Sequence, residues 1–154
     1  IIETVIEVNA AQKARMVGKI RKALGGGEAG KKIVSLGLTF KPETDDMRDA
    51  PALTVLPALK EKGAKIVATD PHGIEEAKKY MPDLDYVEDS YEAMKDADCL
   101  VLMTEWNEYR SLDFEKIKKA MKGNIFVDLR NVYDPETIKK EGFEYVGVGR
   151  NQNF

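Results

Sequence analysis

The chain has 154 residues, of which 43% are hydrophobic and 33% charged, a balance typical of one globular domain and not of a disordered or fibrous protein. Its net charge of −3 and pI of about 5.4 exclude a global positive field that would attract nucleic acid or an anionic membrane surface. The single cysteine, Cys99, excludes an intrachain disulfide. A single cysteine fits a reducing cytoplasm, and no apolar run approaches the roughly 20 residues of a membrane helix. We therefore expect a cytoplasmic protein with neither nucleic acid nor membrane as a partner.

The first 24 residues predict one long helix, which three glycines at 25–27 bring to an end. Globular helices average about 11 or 12 residues, so this length indicates an element continuing from another domain or a dimer seam. Because the chain begins with Ile1 and not with methionine, we expect it to be part of a longer protein. Apolar residues recur on one face of this helix: Ile2, Val5, Ile6, Met16, Ile20 and Leu24.

After the glycines, predicted strands and helices alternate along the rest of the chain. Strands are predicted over 32–38, 64–70, 85–88, 99–104, 124–129 and 144–149, and helices over 51–62, 74–80, 91–97, 114–121 and 135–141. The first strand is apolar on both faces, as in a parallel sheet covered by helices on either side. The pattern predicts an α/β fold, a Rossmann-like doubly wound parallel sheet of about six strands preceded by the long helix.

Polar, charged and aromatic residues follow the predicted strands at their carboxyl ends, where open α/β sheets bind their ligands. The loop after the first strand carries cations where a dinucleotide-binding domain carries glycines. The segments are Phe40 to Arg48, Asp70 to His72, Thr104 to Tyr109 and Asp128 to Asn131. This edge is the expected functional rim.

Three cations on this rim are candidate ligands for a phosphate group: Lys41, Arg48 and Arg130. A guanidinium donates two parallel hydrogen bonds to phosphate oxygens, and a lysine adds a point charge. Each cation also has a purely structural interpretation as half of an ion pair. Lys41 and Arg48 have Glu43, Asp45 and Asp46 nearby in the loop, and Arg130 has Asp128 and Asp134.

The carboxylates of the rim have two interpretations each. Asp45 and Asp46 have the chemistry of general acid–base or metal-binding groups, but capping the next helix or holding Arg48 and Lys41 fits adjacent residues better. Asp70 stands where a dinucleotide-binding domain keeps its ribose-binding acid, and capping near Gly73 is an equal alternative.

The remaining candidates fit packing better than catalysis. His72 is the only histidine and lies in a Pro-His-Gly turn, while Cys99 heads a buried strand without a basic neighbour. Trp106 follows another buried strand, so packing is its default role and stacking on a ligand ring the alternative. The residues alone therefore predict an anion- or nucleotide-binding module without a catalytic residue or a metal site of its own.

Several motifs together resemble the UDP-binding C-terminal domain of the UDP-glucose/GDP-mannose dehydrogenase family. They are GLTFKPETDDMRDAP, GAKIVATDP, LMTEWNEYRSLDF, FVDLRNVYD and the closing YVGVGR. The resemblance runs over residues 31–150 in the family's order. It implies that residues 1–27 are the end of the central linking helix, which helps to form a homodimer, and that residues 28–154 are the UDP-sugar-binding domain.

The resemblance also implies an activity and site residues. The family oxidises the C6 hydroxyl of a nucleotide sugar to a carboxylate, with two NAD⁺ and a thioester on a cysteine, in polysaccharide biosynthesis. Phe40, Lys41 and Arg130 would bind the UDP-sugar, with Lys41 near its phosphates, and Arg48 would reach the NAD held by the N-terminal domain. That domain and the catalytic cysteine are absent from this sequence and Cys99 does not match the cysteine motif, so we expect the chain to be inactive alone.

Several functions are open to the sequence. The leading hypothesis is the substrate-binding part of a UDP-glucose 6-dehydrogenase, with UDP-N-acetylmannosamine and GDP-mannose enzymes as alternatives. A signalling module of the receiver type is an alternative from another class, because it too alternates strands and helices with an acidic pair after the first strand. A bare dimerisation module is a third possibility, given the apolar stripe of the first helix.

Overall fold

A six-stranded parallel sheet forms the centre of the protein. The computed structural model describes residues 2–148, with side chains from residue 10 onward, so the side chains of Ile2, Val5 and Ile6 and residues 149–154 lie outside the described part. The strands are β1 (Lys32–Leu36), β2 (Lys65–Thr69), β3 (Asp85–Tyr86), β4 (Cys99–Leu102), β5 (Ile125–Asp128) and β6 (Glu144–Gly147). All six predicted strands are therefore confirmed, each somewhat shorter than predicted.

Helices follow the glycine and proline signals of the sequence. They are α1 (Ile2–Ala23), α2 (Ala52–Glu61), α3 (Ile74–Tyr80), α4 (Ser90–Ala93), α5 (Phe114–Ala120) and α6 (Pro135–Lys140), with a 3-10 helix at Asn107–Arg110 that the sequence did not predict. Side-chain caps define three of the starts. Asp89, Asp113 and Asp134 each accept a backbone N–H of the first turn, at 2.9 to 3.1 Å.

The sheet separates two hydrophobic clusters, because alternate residues of each buried strand point to opposite faces. Ile33 faces α1, α2 and α3, while Val34 faces α4, α5 and α6. Met16 and Ile20 of α1 are buried in the first cluster. The second half of α1 therefore belongs to the same core as the sheet, although the glycines at 25–27 separate the two in sequence.

The strand order is β3-β2-β1-β4-β5-β6, which confirms the Rossmann-like prediction. A receiver domain has the flavodoxin-like order 2-1-3-4-5. The observed strand order therefore makes the receiver-type hypothesis wrong. The alternation of strands and helices that suggested it is common to both topologies. In the order found here the chain reverses its direction of winding between β1 and β4, and the carboxyl ends of both strands point to the same edge.

Candidate functional site

A cleft of about 590 Å³ opens at the carboxyl edge of the sheet, beside the point where the winding reverses. One wall is α1, another is the loop from β1 into the start of α2, and the third is the turn after β5. Its lining residues are Ala10, Gln12, Lys13, Met16, Phe40, Asp49, Pro51, Thr54 and Arg130. Two of the predicted substrate-binding residues, Phe40 and Arg130, are thus brought together from separate parts of the chain.

The end of β1 approaches the end of β4 closely, and a glycine makes this approach possible. Gly37 has a φ of +98°, and a Cβ built on it would lie 2.6 Å from the Cβ of Thr104. Thr104 in turn donates its hydroxyl to the carbonyl of Thr39 at 2.7 Å. This contact fixes where the β1 loop leaves the sheet, and Phe40 follows directly with 48% of its surface exposed.

Asp70 anchors the same loop from the end of β2. It is only 4% exposed, and both of its carboxylate oxygens accept hydrogen bonds. Oδ2 accepts from the backbone N–H groups of Leu38 and Thr39 and from the indole of Trp106, and Oδ1 accepts from the backbone N–H groups of His72 and Gly73, at 2.7 to 3.3 Å. A carboxylate occupied in this way holds two loops together, which supports the capping interpretation of Asp70 over ribose binding.

Arg130 is oriented by a residue that the sequence did not suggest. Its Nε and Nη2 donate to the two carboxylate oxygens of Glu105, with the Nη2–Oε1 contact at 3.1 Å. This hydrogen bond from Arg130 is the main reason why the pKa of Glu105 lies below its usual value. Asp128, proposed above as a partner of Arg130, accepts only its backbone N–H, at 3.1 Å. The alternative interpretation of Arg130, an ion pair with Asp128 or Asp134, is therefore wrong as to its partner, because the register of β4 and β5 brings Glu105 to the guanidinium instead.

The other two predicted cations do not line the cleft. Arg48 makes a bidentate ion pair with Asp46, both contacts at 3.0 Å, and its side chain is 82% exposed. Hydrogen bonds from Arg48 lower the pKa of Asp46 to about 2. Lys41 follows Phe40 and is exposed. The pairing interpretation is thus correct for Arg48, and Asp46 is the residue that holds it.

Trp106 and His72 pack on one another at the rim. Their rings are stacked with centroids 5.1 Å apart. Trp106 is 3% exposed, which supports its packing role, while His72 is exposed and lies in a turn, as its sequence context predicts. Cys99 is buried at the start of β4, and burial raises the pKa of its thiol well above the usual value. A neutral buried thiol is a poor nucleophile, in agreement with the sequence analysis.

Lys13 is a cation of the cleft that the sequence analysis missed. It lies on α1, is partly buried, and has no ion pair with any other side chain from residues 10–148. Nothing in an amphipathic helix indicates which polar residue will face a neighbouring loop, so only the packing of α1 on the sheet identifies Lys13. Among the lining residues whose side chains the structure describes, Lys13 and Arg130 are two cations against one carboxylate, Asp49.

The described part of the chain does not fit the usual sites for a metal or for NAD. Residues 10–148 contain no group of three metal-ligating side chains. Separately, none of the helices within residues 2–148 is long and apolar enough to cross a membrane. One G-x-G-x-x-G spacing occurs at residues 25–30, but it follows a helix and precedes β1. It therefore lies at the opposite edge of the sheet from the cleft, where it cannot hold a pyrophosphate against a helix N-terminus as a dinucleotide fingerprint does.

Known proteins resemble this chain in sequence and in fold. The model of the UDP binding domain of the UDP-glucose/GDP-mannose dehydrogenase family matches residues 34–135. A UDP-glucose 6-dehydrogenase of Rhizobium meliloti (strain 1021) is 49% identical over 150 residues, which are 97% of this chain and 34% of that protein. The chain thus spans about a third of the length of this relative.

Solved structures agree with this similarity. A UDP-glucose dehydrogenase from the archaeon Pyrobaculum islandicum superimposes with a TM-score of 0.74 at 31% identity, over 96% of this chain and 31% of that one. An NDP-N-acetyl-D-galactosaminuronic acid dehydrogenase from Methanosarcina mazei Go1 gives a TM-score of 0.79 at 29% identity, over 90% of this chain and 29% of that one. The same domain fold therefore occurs in dehydrogenases named for different sugars.

Proposed function

We propose that this chain, which belongs to the UDP-glucose/GDP-mannose dehydrogenase family, is the UDP-sugar-binding part of an NAD-dependent UDP-glucose 6-dehydrogenase. The observation that carries the proposal is the cleft in which Phe40 and Arg130 meet, although 89 residues separate them in the sequence. A cleft at the reversal of strand order, with cations on two of its walls, suits a nucleotide with a diphosphate.

Each wall of the cleft has a part in binding the nucleotide sugar. Arg130 donates to the diphosphate from the turn after β5, and Lys13 adds a positive charge from α1. The exposed ring of Phe40 offers an apolar face for a ring of the ligand. Lys41, on the same loop, reaches the phosphates once a ligand fills the cleft.

The remaining steps of the reaction belong to parts of the enzyme outside this chain. NAD, when bound there, accepts the hydrides that leave C6 of the sugar. Arg48 is exposed beside its partner Asp46 and reaches that cofactor across the domain interface. Residues 1–27 belong to the helix that links the two halves and joins two subunits, and residues 28–154 form the binding domain. The chain alone has no dehydrogenase activity, because it contains neither the NAD site nor the catalytic cysteine.

UDP-glucose is the preferred substrate in this proposal, because the Rhizobium meliloti relative described above is named a UDP-glucose 6-dehydrogenase. UDP-N-acetylmannosamine and GDP-mannose remain alternatives. The domain binds the nucleotide and diphosphate, which many sugars share, and the sugar itself is recognised mainly by the rest of the enzyme.

The proposal predicts a specific order of ligand affinities for the chain as it stands. Isothermal titration calorimetry should detect weak binding of UDP and UDP-glucose with similar dissociation constants, and no binding of NAD at the same concentrations. We expect the affinity to be weak because, in this proposal, the N-terminal domain supplies part of the pocket. Tighter binding of GDP-mannose than of UDP-glucose would make GDP-mannose the proposed substrate in place of UDP-glucose. The absence of any uridine-nucleotide binding would refute the proposed function.

A further inference from the structure

The contact between Glu105 and Arg130 differs from the other ion pairs at the rim of the sheet. Both side chains are largely covered, with 29% of Arg130 and 21% of Glu105 exposed, and both oxygens of the carboxylate accept from the guanidinium. By contrast, Arg48 in the Arg48–Asp46 pair is almost fully exposed and does not line the cleft. A covered bidentate pair fixes the plane of the guanidinium, whereas an exposed pair leaves it mobile.

Glu105 holds Arg130 from outside the cleft. Arg130 is among the lining residues and Glu105 is not. The carboxylate uses one N–H of Nε and one of Nη2, so three of the five guanidinium N–H groups remain. Those three lie on Nη1 and Nη2, along the edge that can donate two parallel hydrogen bonds to a second anion.

The backbone around both residues supports this arrangement. Arg130 follows β5 by two residues, and its N–H is held by the buried carboxylate of Asp128 at 3.1 Å. Glu105 follows β4, the strand that pairs with β5, and its neighbour Trp106 is anchored to Asp70. Both partners therefore lie in short segments that follow neighbouring strands and are held there by buried carboxylates.

We propose that Glu105 is a positioning residue that holds the Nε–Nη2 edge of Arg130 so that the Nη1–Nη2 edge faces the diphosphate of a bound nucleotide sugar. This inference rests on the proposed function. It differs from a competing role, in which the carboxylate would occupy the place of a phosphate and leave when the ligand arrives. The two roles predict opposite signs for the effect of removing the charge of Glu105.

The test compares UDP with uridine, which lacks the diphosphate, on the wild-type chain, Glu105→Gln, Arg130→Ala and the double variant. Glutamine has the shape of glutamate, but its amide group faces the guanidinium N–H groups, so at least one of the two hydrogen bonds is lost. We expect Glu105→Gln to raise the dissociation constant for UDP roughly tenfold, the effect of one charge-assisted hydrogen bond. Titrations followed by NMR chemical shifts reach the millimolar range that uridine requires.

Two further readouts separate positioning from general stability. The dissociation constant for uridine should stay within about twofold of the wild type, because the contact concerns the diphosphate alone. In the Arg130→Ala background, Glu105→Gln should change UDP binding by less than about twofold, since the residue it positions is gone.

Other outcomes overturn the inference in distinguishable ways. Unchanged or tighter UDP binding by Glu105→Gln makes the carboxylate a bystander or a competitor, with the proposed function intact. An equal loss of UDP and uridine binding makes its role structural. A wild-type chain that binds no UDP refutes the proposed function and the inference together.

Discussion

We expect Arg130→Ala to weaken UDP binding by about 10- to 100-fold, the largest effect of any single substitution in the cleft. A hydrogen bond to a charged group contributes about 1.5 to 3 kcal/mol, and a tenfold change in affinity corresponds to about 1.4 kcal/mol. Calorimetric titration of both chains with UDP measures the difference directly.

Arg15→Ala is the matched control for this substitution. Arg15 carries the same charge, lies two residues from Lys13 on α1, is exposed and does not line the cleft. Its removal should change UDP affinity by less than about twofold at physiological salt, because two residues along a helix turn its side chain about 200° away from that of Lys13, and salt screens an exposed charge. Equal losses of UDP affinity in the two variants would mean that the overall charge of the chain, and not the guanidinium of Arg130, attracts the nucleotide.

The second large effect is expected for Asp70→Asn, this time on the stability of the fold. Asparagine has the shape of aspartate but only one acceptor oxygen, so its amide group must face backbone N–H groups in either orientation. Buried donors that lose their acceptor cost about 1 to 3 kcal/mol each, so we expect a loss of about 2 to 4 kcal/mol in the free energy of unfolding. Chemical denaturation followed by circular dichroism measures this loss.

Asp134→Asn provides the comparison. Asp134 caps α6 through one backbone N–H at 3.1 Å near the surface, and asparagine caps helices about as well as aspartate. Its effect should stay within about 0.5 kcal/mol. If Asp70→Asn were equally mild, Asp70 would not anchor the β1 loop, and its role as a ribose-binding acid would return as an explanation for its position.

Most of the fold could be predicted from the sequence because its local signals agree with each other. Short apolar segments place most of the six strands, and the helices between them follow from the 3.6-residue period. The 3-10 helix at Asn107–Arg110 could not be predicted. It depends on Tyr109 being buried against the second cluster, a tertiary contact that overrides a polar local sequence.

The site could be predicted from the sequence only in part, through the rule that open α/β sheets bind their ligands at the carboxyl ends of their strands. That rule placed the loop with Phe40 and the turn with Arg130 at the same edge of the sheet, and the family resemblance implied that both residues bind the UDP-sugar. It could not identify Glu105 as the partner of Arg130, because the nearest carboxylate in sequence is Asp128 and the choice depends on the register between β4 and β5. Nor could it identify Lys13, since the side of the sheet on which α1 packs is a property of the whole core.

A crystal structure of this chain with UDP tests the central claim most directly: two parts of the chain far apart in sequence form one diphosphate site. We predict a diphosphate oxygen within about 3.2 Å of the terminal nitrogens of Arg130, with a ring of the nucleotide against Phe40. UDP bound elsewhere on the chain, with the cleft between α1 and Arg130 still open to solvent, would contradict the account.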